Sequence, residues 1–429
     1  MRKVITSVYH VPSIYMETRC ILTNTAPIGA YRGAGRPEGI YPMERLIDMT
    51  ARKMGIDPII IRRRNLIRTE NLPYTTPAGE VYDSGNFEAV LEQTVELMEW
   101  DSFKARKAES KKRGLLRGRG IACYIEWTGG DLTETVRIEA ESEGIVTLYS
   151  GTQNMGQGLE TVFNQLLSEK LQIPMESIKI IQGDTKLVKG LGSFGSRSLF
   201  VGGTALLEGT TEFLKKGRAL AAEELEAAEN DILYHKGQFK VTGTSIGIGL
   251  FDLASRQSKK CISNETEKTV EGRSWPNGCH IAEVEIDPET GKVFLVRYGN
   301  VDDVGNIINP MIVEGQIKGG IAQGAGQVLL EKSVYDSEGQ LLTVSFMDYA
   351  MPRADDFPEF NNSTFSDSPC LNNPLGAKGV GEIVTVGSIP TIANAILDAL
   401  WDQGVRKFNM PAYPQIIWKL IQQAKNLKE

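Results

Sequence analysis

At 429 residues the chain is long enough for two or more domains with sizeable cores, and 41% hydrophobic with 24% charged residues is ordinary for a globular protein. A net charge of −7 leaves no basic footprint, which argues against nucleic acid and anionic membranes as partners. No apolar run is read as approaching the ~20 residues of a bilayer span, and the opening MRKVITSVYHVPSIY has cations but no apolar core or cleavage site, so a cytoplasmic protein is expected.

Residues 1–68 read as an extended stretch, a glycine-rich loop and two helices. The first helix carries Met43, Leu46, Ile47 and Met54 near helical spacing, and Pro42 is expected in its first turn, because an interior proline would kink it. The second opens at Asp57-Pro58, an N-cap followed by proline. A polar link rich in proline and glycine then marks the boundary, which divides the chain into 1–70, a linker 71–86, and 87–429. One helix is predicted over 87–112.

From Gly118 strands and helices alternate. A strand over 145–149, a helix over 159–171 with a one-face apolar stripe, and a strand over 177–181 follow in order. A long helix is expected over 199–226. A hairpin joins 282–286 to 293–298 through Asp287-Pro288-Glu289-Thr290-Gly291. Helices are predicted over 311–331, 390–401 and 413–426. Hairpins mixed with crossovers imply an α+β fold with mixed sheets.

Five widely spread cysteines without a CxxC pair argue against a disulfide framework, a zinc site or an iron–sulfur site. Three histidines outside any metal-ligand spacing are read as surface or packed residues, so no metal held directly by side chains is expected. Glycine is the outlier at 44 residues, about one in ten against a usual ~7%. Four clusters hold many of them: 30–38, 151–158, 192–198 and 376–382, three running directly or shortly into a predicted helix. A glycine loop ending at a helix N-terminus offers free N–H groups and the positive end of the helix dipole, a natural site for phosphate. Ser196, Arg197, Ser198 and Thr161 add side-chain donors. None of the clusters is a GxxxxGK[ST] loop or a Rossmann fingerprint. Each alone reads as a tight turn; together they suggest a large phosphorylated ligand gripped by several segments.

The set AYRGAGRPE (30–38), GTQNMGQGLET (151–161), GSFGSRS (192–198), GQIKGG (315–320) with a following AQG, and KGVGE (378–382) before an NAI-DA helix resembles the molybdenum-cofactor signature of the xanthine dehydrogenase and aldehyde oxidase family. The resemblance covers essentially the whole chain. It implies molybdopterin, in the cytosine dinucleotide form, with molybdenum held by the pterin and by no protein side chain. It implies that Arg32 and Gly33 line the metal end and that Gln316 lies near the metal. Gly156, Gln157, Gly158 and Thr161 would contact pterin and phosphates. Phe194, Gly195, Ser196, Arg197 and Ser198 would wrap the dinucleotide, with Gly381 also at the cofactor. Glu382 would be the catalytic base, taking a proton as an oxygen from water is added to an electron-poor carbon. Glu126, Trp127 and Thr128 fall near a loop that lines the substrate pocket in the family, where a tryptophan could stack on an aromatic ring.

A family catalytic subunit is longer, and its N-terminal half brings a smaller α/β domain, a GGGFG-type loop and a glutamine near the metal that do not occur here. The resemblance therefore implies that Met1 falls inside the first cofactor-binding domain. It also implies that a companion chain supplies the missing half, or that the chain is a truncation. Apolar surface is then expected around 5–14 and 21–28. The carbon monoxide branch carries a cysteine where this chain has Gly33, so that substrate is disfavoured. The expected activity is oxidation of an aldehyde or N-heteroaromatic carbon, with electrons leaving through 2Fe-2S and FAD subunits. The competing readings are a non-catalytic cofactor-binding or assembly protein, and a fragment inactive without its companion.

Overall fold

Two four-stranded sheets organise the chain in the computed structural model, which describes residues 1–426. In the first, the strands lie in the order Phe360–Phe365, Val293–Asp303, Asn277–Ile286, Leu116–Ile125, the first pair parallel and the others antiparallel. The predicted hairpin is its centre, and Asp287 fixes the turn by accepting hydrogen bonds from the Glu289 N–H and the Thr290 hydroxyl. In the second sheet the order is Cys261–Thr269, Thr133–Glu141, Val146–Ser150, Ile178–Gln182. The parallel pair Val146–Ser150 and Ile178–Gln182 is joined through the helix Leu159–Leu171, whose predicted stripe, Leu159, Val162, Phe163, Leu166, Leu167 and Leu171, is buried. A three-stranded meander over 232–249 extends this half. Mixed sheets with helices are the α+β architecture read from the sequence.

The helix Ile383–Trp401 lies across the first sheet and is apolar nearly all round. It is long and apolar enough to cross a membrane, which corrects the expectation of no such run. Its most apolar 18-residue window is 94% buried within the chain, so here it is a core helix. Gly118 and Gly120 set its distance from the sheet. A Cβ at Gly118 would meet the Ala395 carbonyl oxygen and the Ala399 nitrogen at 2.2 Å, and one at Gly120 would meet the Thr391 oxygen at 2.1 Å. Backbone therefore touches backbone, and the helix N-terminus, with Glu382 as its N-cap, is held in register above the end of the Leu116–Ile125 strand.

Several predicted boundaries move, each for a local reason. The first helix starts at Arg36, six residues before Pro42, which sits inside it. Pro37 occupies the first turn that Pro42 was expected to mark. Of its supposed apolar face, Leu46 and Met54 are exposed, while Arg36, Glu44 and Asp48 point inward. Buried Arg62 pairs with Glu44 at 2.6 Å and Tyr9 donates to the same carboxylate, so ionic contacts replace an apolar stripe. The second helix, Pro58–Asn65, is capped by Asp57 as read. The span 87–112 breaks into Phe87–Leu97 and Phe103–Lys112, because Glu99 turns left-handed at φ 48°. The long helix opens with a π-helical turn, Ser198–Gly203, before Thr204–Glu224. The helix predicted from Pro390 begins at Ile383 instead, with Pro390 internal.

The N-terminal segment divides sharply. Val4, Val8 and Tyr9 are packed into the main core beside Ile59 and Leu66, contrary to the exposure expected over 5–14. By contrast Tyr15, Ile21, Leu22 and Ile28 are open, with Leu22 fully exposed. The 71–86 link carries a short hairpin whose Tyr82 is buried, packs on Trp275 at 4.6 Å and donates to the Ser7 carbonyl. The first segment thus shares one core with the rest of the chain.

Overpacking a well-filled contact costs about 1–3 kcal/mol. Gly120→Ala is expected to destabilise the fold by about that amount, seen as a lower urea midpoint. An unchanged midpoint would show that the helix can lift from the sheet at no cost.

Candidate functional site

The glycine clusters meet where three helices begin. The helix Leu159–Leu171, the helical run opening at Ser198, and the helix Ile383–Trp401 all start without a side-chain hydrogen bond at the N-cap. Their first turns keep N–H groups that need partners. A cavity of about 120 Å³ lies among them, lined by Gln157, Leu159, Ser196, Ser198, Gln316 and Gly381 among others. Residues from the second, third and fourth clusters therefore share one space.

The first cluster joins through its arginines. Arg32 is largely buried and donates to the Gly381 carbonyl at 2.6 Å, the Gln323 side chain at 2.9 Å, and both the side chain and backbone oxygens of Gln316 at 3.0 and 3.1 Å. Burial pushes its guanidinium below the usual arginine range, opposed by the charge of Glu382. Arg36 is buried outright. It donates to the Gly33 and Trp127 carbonyls at 2.8 Å, to Glu382 Oε2 at 3.1 Å, and pairs with Glu126 Oε1 at 3.2 Å. Sequence reasoning placed Arg36 inside a motif without giving it a role. The available signal was its spacing, four residues beyond Arg32, which puts two cations at one loop-to-helix junction.

Ser196 holds the loops to one another. Its Oγ accepts from the Glu382 N–H at 3.1 Å and donates to Glu126 Oε1 at 3.4 Å. The approach is close: a Cβ on Gly379 would meet the Ser196 Cβ at 2.6 Å and the Thr128 Oγ1 at 2.9 Å. Ser196 and its neighbour Gly195 are both left-handed, at φ 57° and 59°. A left-handed serine in a site loop is stored strain.

Other predicted residues sit differently. Arg197 is fully buried and its donors go to Glu134 at 2.7 Å and to the Asp131, Thr133 and Gly192 carbonyls, so it shapes its loop from within. Phe194 is half exposed beside that guanidinium, and Gly195 accepts from the Gly129 N–H. Ser198 donates to Ser193, while Gly156 and Thr161 lie exposed at the mouth of their helix, and Gly158 is its N-cap. Gln157 folds back onto the Gln153 carbonyl. Gly33 stacks over Pro37 in a left-handed turn.

The 126–128 loop is not an open pocket wall. Glu126 is fully buried, Thr128 accepts from Ser274 and is also buried, and the Trp127 ring already carries Arg36, Arg273 and Lys3 at 4.5, 4.6 and 5.1 Å from its centre. Cation–π contacts engage the ring that was expected to stack on a substrate. Burial pushes the Glu126 carboxyl well above the usual range, opposed by Arg36 and reinforced by the charge of Glu382 and a hydrogen bond to it.

A family model described as a molybdopterin cofactor-binding domain matches residues 93–358, and a second of the same description matches residues 1–66. The chain is 34% identical over 429 residues to the 6-hydroxypseudooxynicotine dehydrogenase complex subunit gamma of Paenarthrobacter nicotinovorans, covering 96% of this chain and 54% of that one. It is 32% identical over 441 residues to the carbon monoxide dehydrogenase large chain of Hydrogenophaga pseudoflava, covering 97% and 55%. The crystal structure of quinoline 2-oxidoreductase from Pseudomonas putida 86 superposes with a TM-score of 0.89 at 32% identity, over 98% of this chain and 56% of that one. The chain spans about half the length of the curated relatives it matches.

The raised Glu126 carboxyl has a consequence for stability. Below the ordinary glutamate value of 4.5 the group is protonated in folded and unfolded chains alike. As pH rises past that point the unfolded chain ionises freely while the native state resists, so native stability falls until the raised folded value is passed. Glu126→Gln cannot ionise. Its stability relative to the parent is expected to climb as pH is raised above about 4.5 in urea unfolding, and a difference that stays flat would refute the assignment.

Proposed function

The chain belongs to the xanthine dehydrogenase and aldehyde oxidase family of molybdenum-binding large subunits, and from that premise we propose that it is the cofactor-binding portion of a molybdenum hydroxylase's catalytic subunit. The reaction proposed is oxidation of an aldehyde or N-heteroaromatic carbon with water as the oxygen source and Glu382 as general base. The observation that carries this reading is the convergence of the first and third glycine clusters on Gly381 and Glu382 of the fourth, through Arg32, Arg36 and Ser196, with Gln157 of the second lining the adjoining cavity.

The residues fit a pterin nucleotide. Three helix N-termini without side-chain caps offer backbone N–H groups to phosphate, and the side-chain amides of Gln157 and Gln316 add neutral donors around one cavity. That cavity is a fraction of the ~300–1,000 Å³ of a small-molecule pocket, so it suits one end of an extended ligand, with the rest along Gly156, Gly158, Thr161, Phe194 and Gly195. We assign the cytosine dinucleotide form. When bound, the molybdenum cofactor accepts the electron pair and polarises the oxygen that is added.

The chain's own residues prepare the base. The Ser196 hydroxyl holds the Glu382 backbone, Arg32 holds the Gly381 carbonyl beside it, and Arg36 fixes one carboxylate oxygen. A carboxylate so held cannot swing away from the oxygen whose proton it takes as carbon attack begins. Gly33, with Arg32, closes the metal end of the site, and its lack of a thiol sets the chain apart from the carbon monoxide branch. The name of one relative refers to a pseudooxynicotine and that of another to quinoline, which supports a heteroaromatic substrate.

In this reading residues 1–70 complete a first cofactor-binding domain, 71–86 link it, and 87–429 form the second. Electrons leave through 2Fe-2S and FAD subunits of a cytoplasmic complex. The open apolar side chains of Ile21, Leu22 and Ile28 support burial of this segment against further protein beyond the packing within residues 1–426.

Glu382→Gln, purified with its companion chains, is expected to retain molybdenum and pterin while losing turnover of aldehydes or N-heteroaromatics by about 10²–10⁴-fold. Parent protein that carries pterin yet turns over no member of either class would favour an assembly role instead.

A further inference from the structure

Glu126 is the least explained group in the site. It lies at the end of an apolar strand, fully buried, where a carboxylate is costly unless donors surround it. One oxygen is served: Oε1 faces the Arg36 guanidinium at 3.2 Å and the Ser196 hydroxyl at 3.4 Å. The other is not. Among the described residues no hydrogen-bond donor reaches Oε2, although it is sealed from solvent. What stands beside Glu126 is a second carboxyl group, Glu382, bound to the same guanidinium at 3.1 Å.

One cation between two carboxylates in a closed space leaves an uncompensated negative charge if both are ionised. Arg32, the next cation, is committed to the Gly381 carbonyl, Gln323 and Gln316. Tyr124, on the strand that leads into Glu126, donates to Asp302 and offers no charge to balance it. A proton on Glu126 Oε2 resolves both defects. It removes the surplus charge, and it gives the unpartnered oxygen a hydrogen beside a second carboxyl bound to the same guanidinium. Two neighbouring carboxyls then share one proton and separate into distinct roles, as like charges at close range require.

We propose that Glu126 holds the single proton shared across Arg36, as a positioning residue that leaves the negative charge, and with it the capacity to accept a proton, on Glu382. The choice between the two is made by access. Glu126 has no solvent contact, whereas the Glu382 side chain is 17% exposed, and an ionised carboxylate costs more where water cannot reach it. Burial pushes the Glu126 carboxyl upward in the same direction. The inference rests on the reading of Glu382 as the base, but concerns a proton that exists with or without turnover.

The test is the infrared carbonyl stretch of a protonated carboxyl, read as a difference between native and variant protein, each purified with its companion chains. The difference removes other carboxyls raised by burial, such as Glu44, Glu134 and Asp303. Native minus Glu126→Gln is expected to show a buried protonated carboxyl at neutral pH. In Glu382→Gln the same band should persist at low pH and titrate away at lower pH than in the parent, because the neighbouring anion is gone. A purely structural Glu126 would leave that midpoint where it was. No band at neutral pH, or an unmoved midpoint in Glu382→Gln, overturns the proposal. Should Glu126→Gln fail to fold, the Glu382→Gln titration decides alone. A band that behaves as expected in a protein without turnover would sink the enzymatic reading and leave the shared proton standing.

Discussion

A guanidinium buried from water must be matched by charge and by acceptors, and the matching of Arg36 is what draws the site together. Its five N–H groups reach the Gly33 and Trp127 carbonyls and two carboxylates, from segments as far apart as residues 33, 126 and 382. Breaking one partner of a buried ionic group typically costs 3–5 kcal/mol, so these segments are tied more firmly than loops usually are. Arg32, one helical turn earlier in the chain, makes the same kind of bridge to the helix Pro310–Leu329 and to Gly381. One loop-to-helix junction therefore ties together three other segments: the 126–127 loop, the helix Pro310–Leu329 and the start of the helix Ile383–Trp401.

The scaffold beneath the junction is rigid for a different reason. Gly118 and Gly120 let the helix Ile383–Trp401 settle backbone to backbone on the first sheet. Beneath it, His280, Tyr298, Tyr124 and Asp302 form a closed hydrogen-bonded group with no solvent exposure. Such a fully satisfied polar group specifies one arrangement of a core better than an apolar one does. Two of the left-handed non-glycine residues, Ala34 and Ser196, lie above this base, and both belong to the converging loops. Strained loops on a stiff floor can hold a carboxylate in place without closing the site around it.

The sequence showed these things unevenly. The striped helix Leu159–Leu171 and the hairpin at Asp287–Gly291 were legible because period and turn chemistry are local signals. The start of the helix Ile383–Trp401 was not, since Pro390 looked like a first-turn proline, and only packing on the sheet shows that the helix runs seven residues before it. Likewise the inward face of the first helix is ionic, and a search for apolar spacing found Leu46 and Met54, which face solvent. At the site, residue types were readable but partners were not. Glu126 looked like a pocket residue and Arg197 like a ligand donor, because nothing in a linear chain shows that each is already enclosed by its own neighbours.

That enclosure decides how an anionic ligand is to be held. Arg32, Arg36, Arg197 and Lys378 lie in or next to the glycine clusters, and each is engaged by carboxylates or carbonyls of the chain itself, Lys378 by Asp303 at 2.7 Å. Full positive charge is thus directed to building the loops. What remains for phosphate is partial charge: the N–H groups of three helix N-termini and the second amide hydrogen of Gln157, since the Ser196 and Ser198 hydroxyls donate to Glu126 and Ser193. Backbone dipoles are fixed before the ligand arrives and need no side-chain ordering when it binds. A lysine on a mobile stem would bind phosphate through salt-sensitive charge, whereas fixed N–H groups bind through shape and direction, which is what a phosphorylated pterin needs if its far end is to stop beside one particular carboxylate.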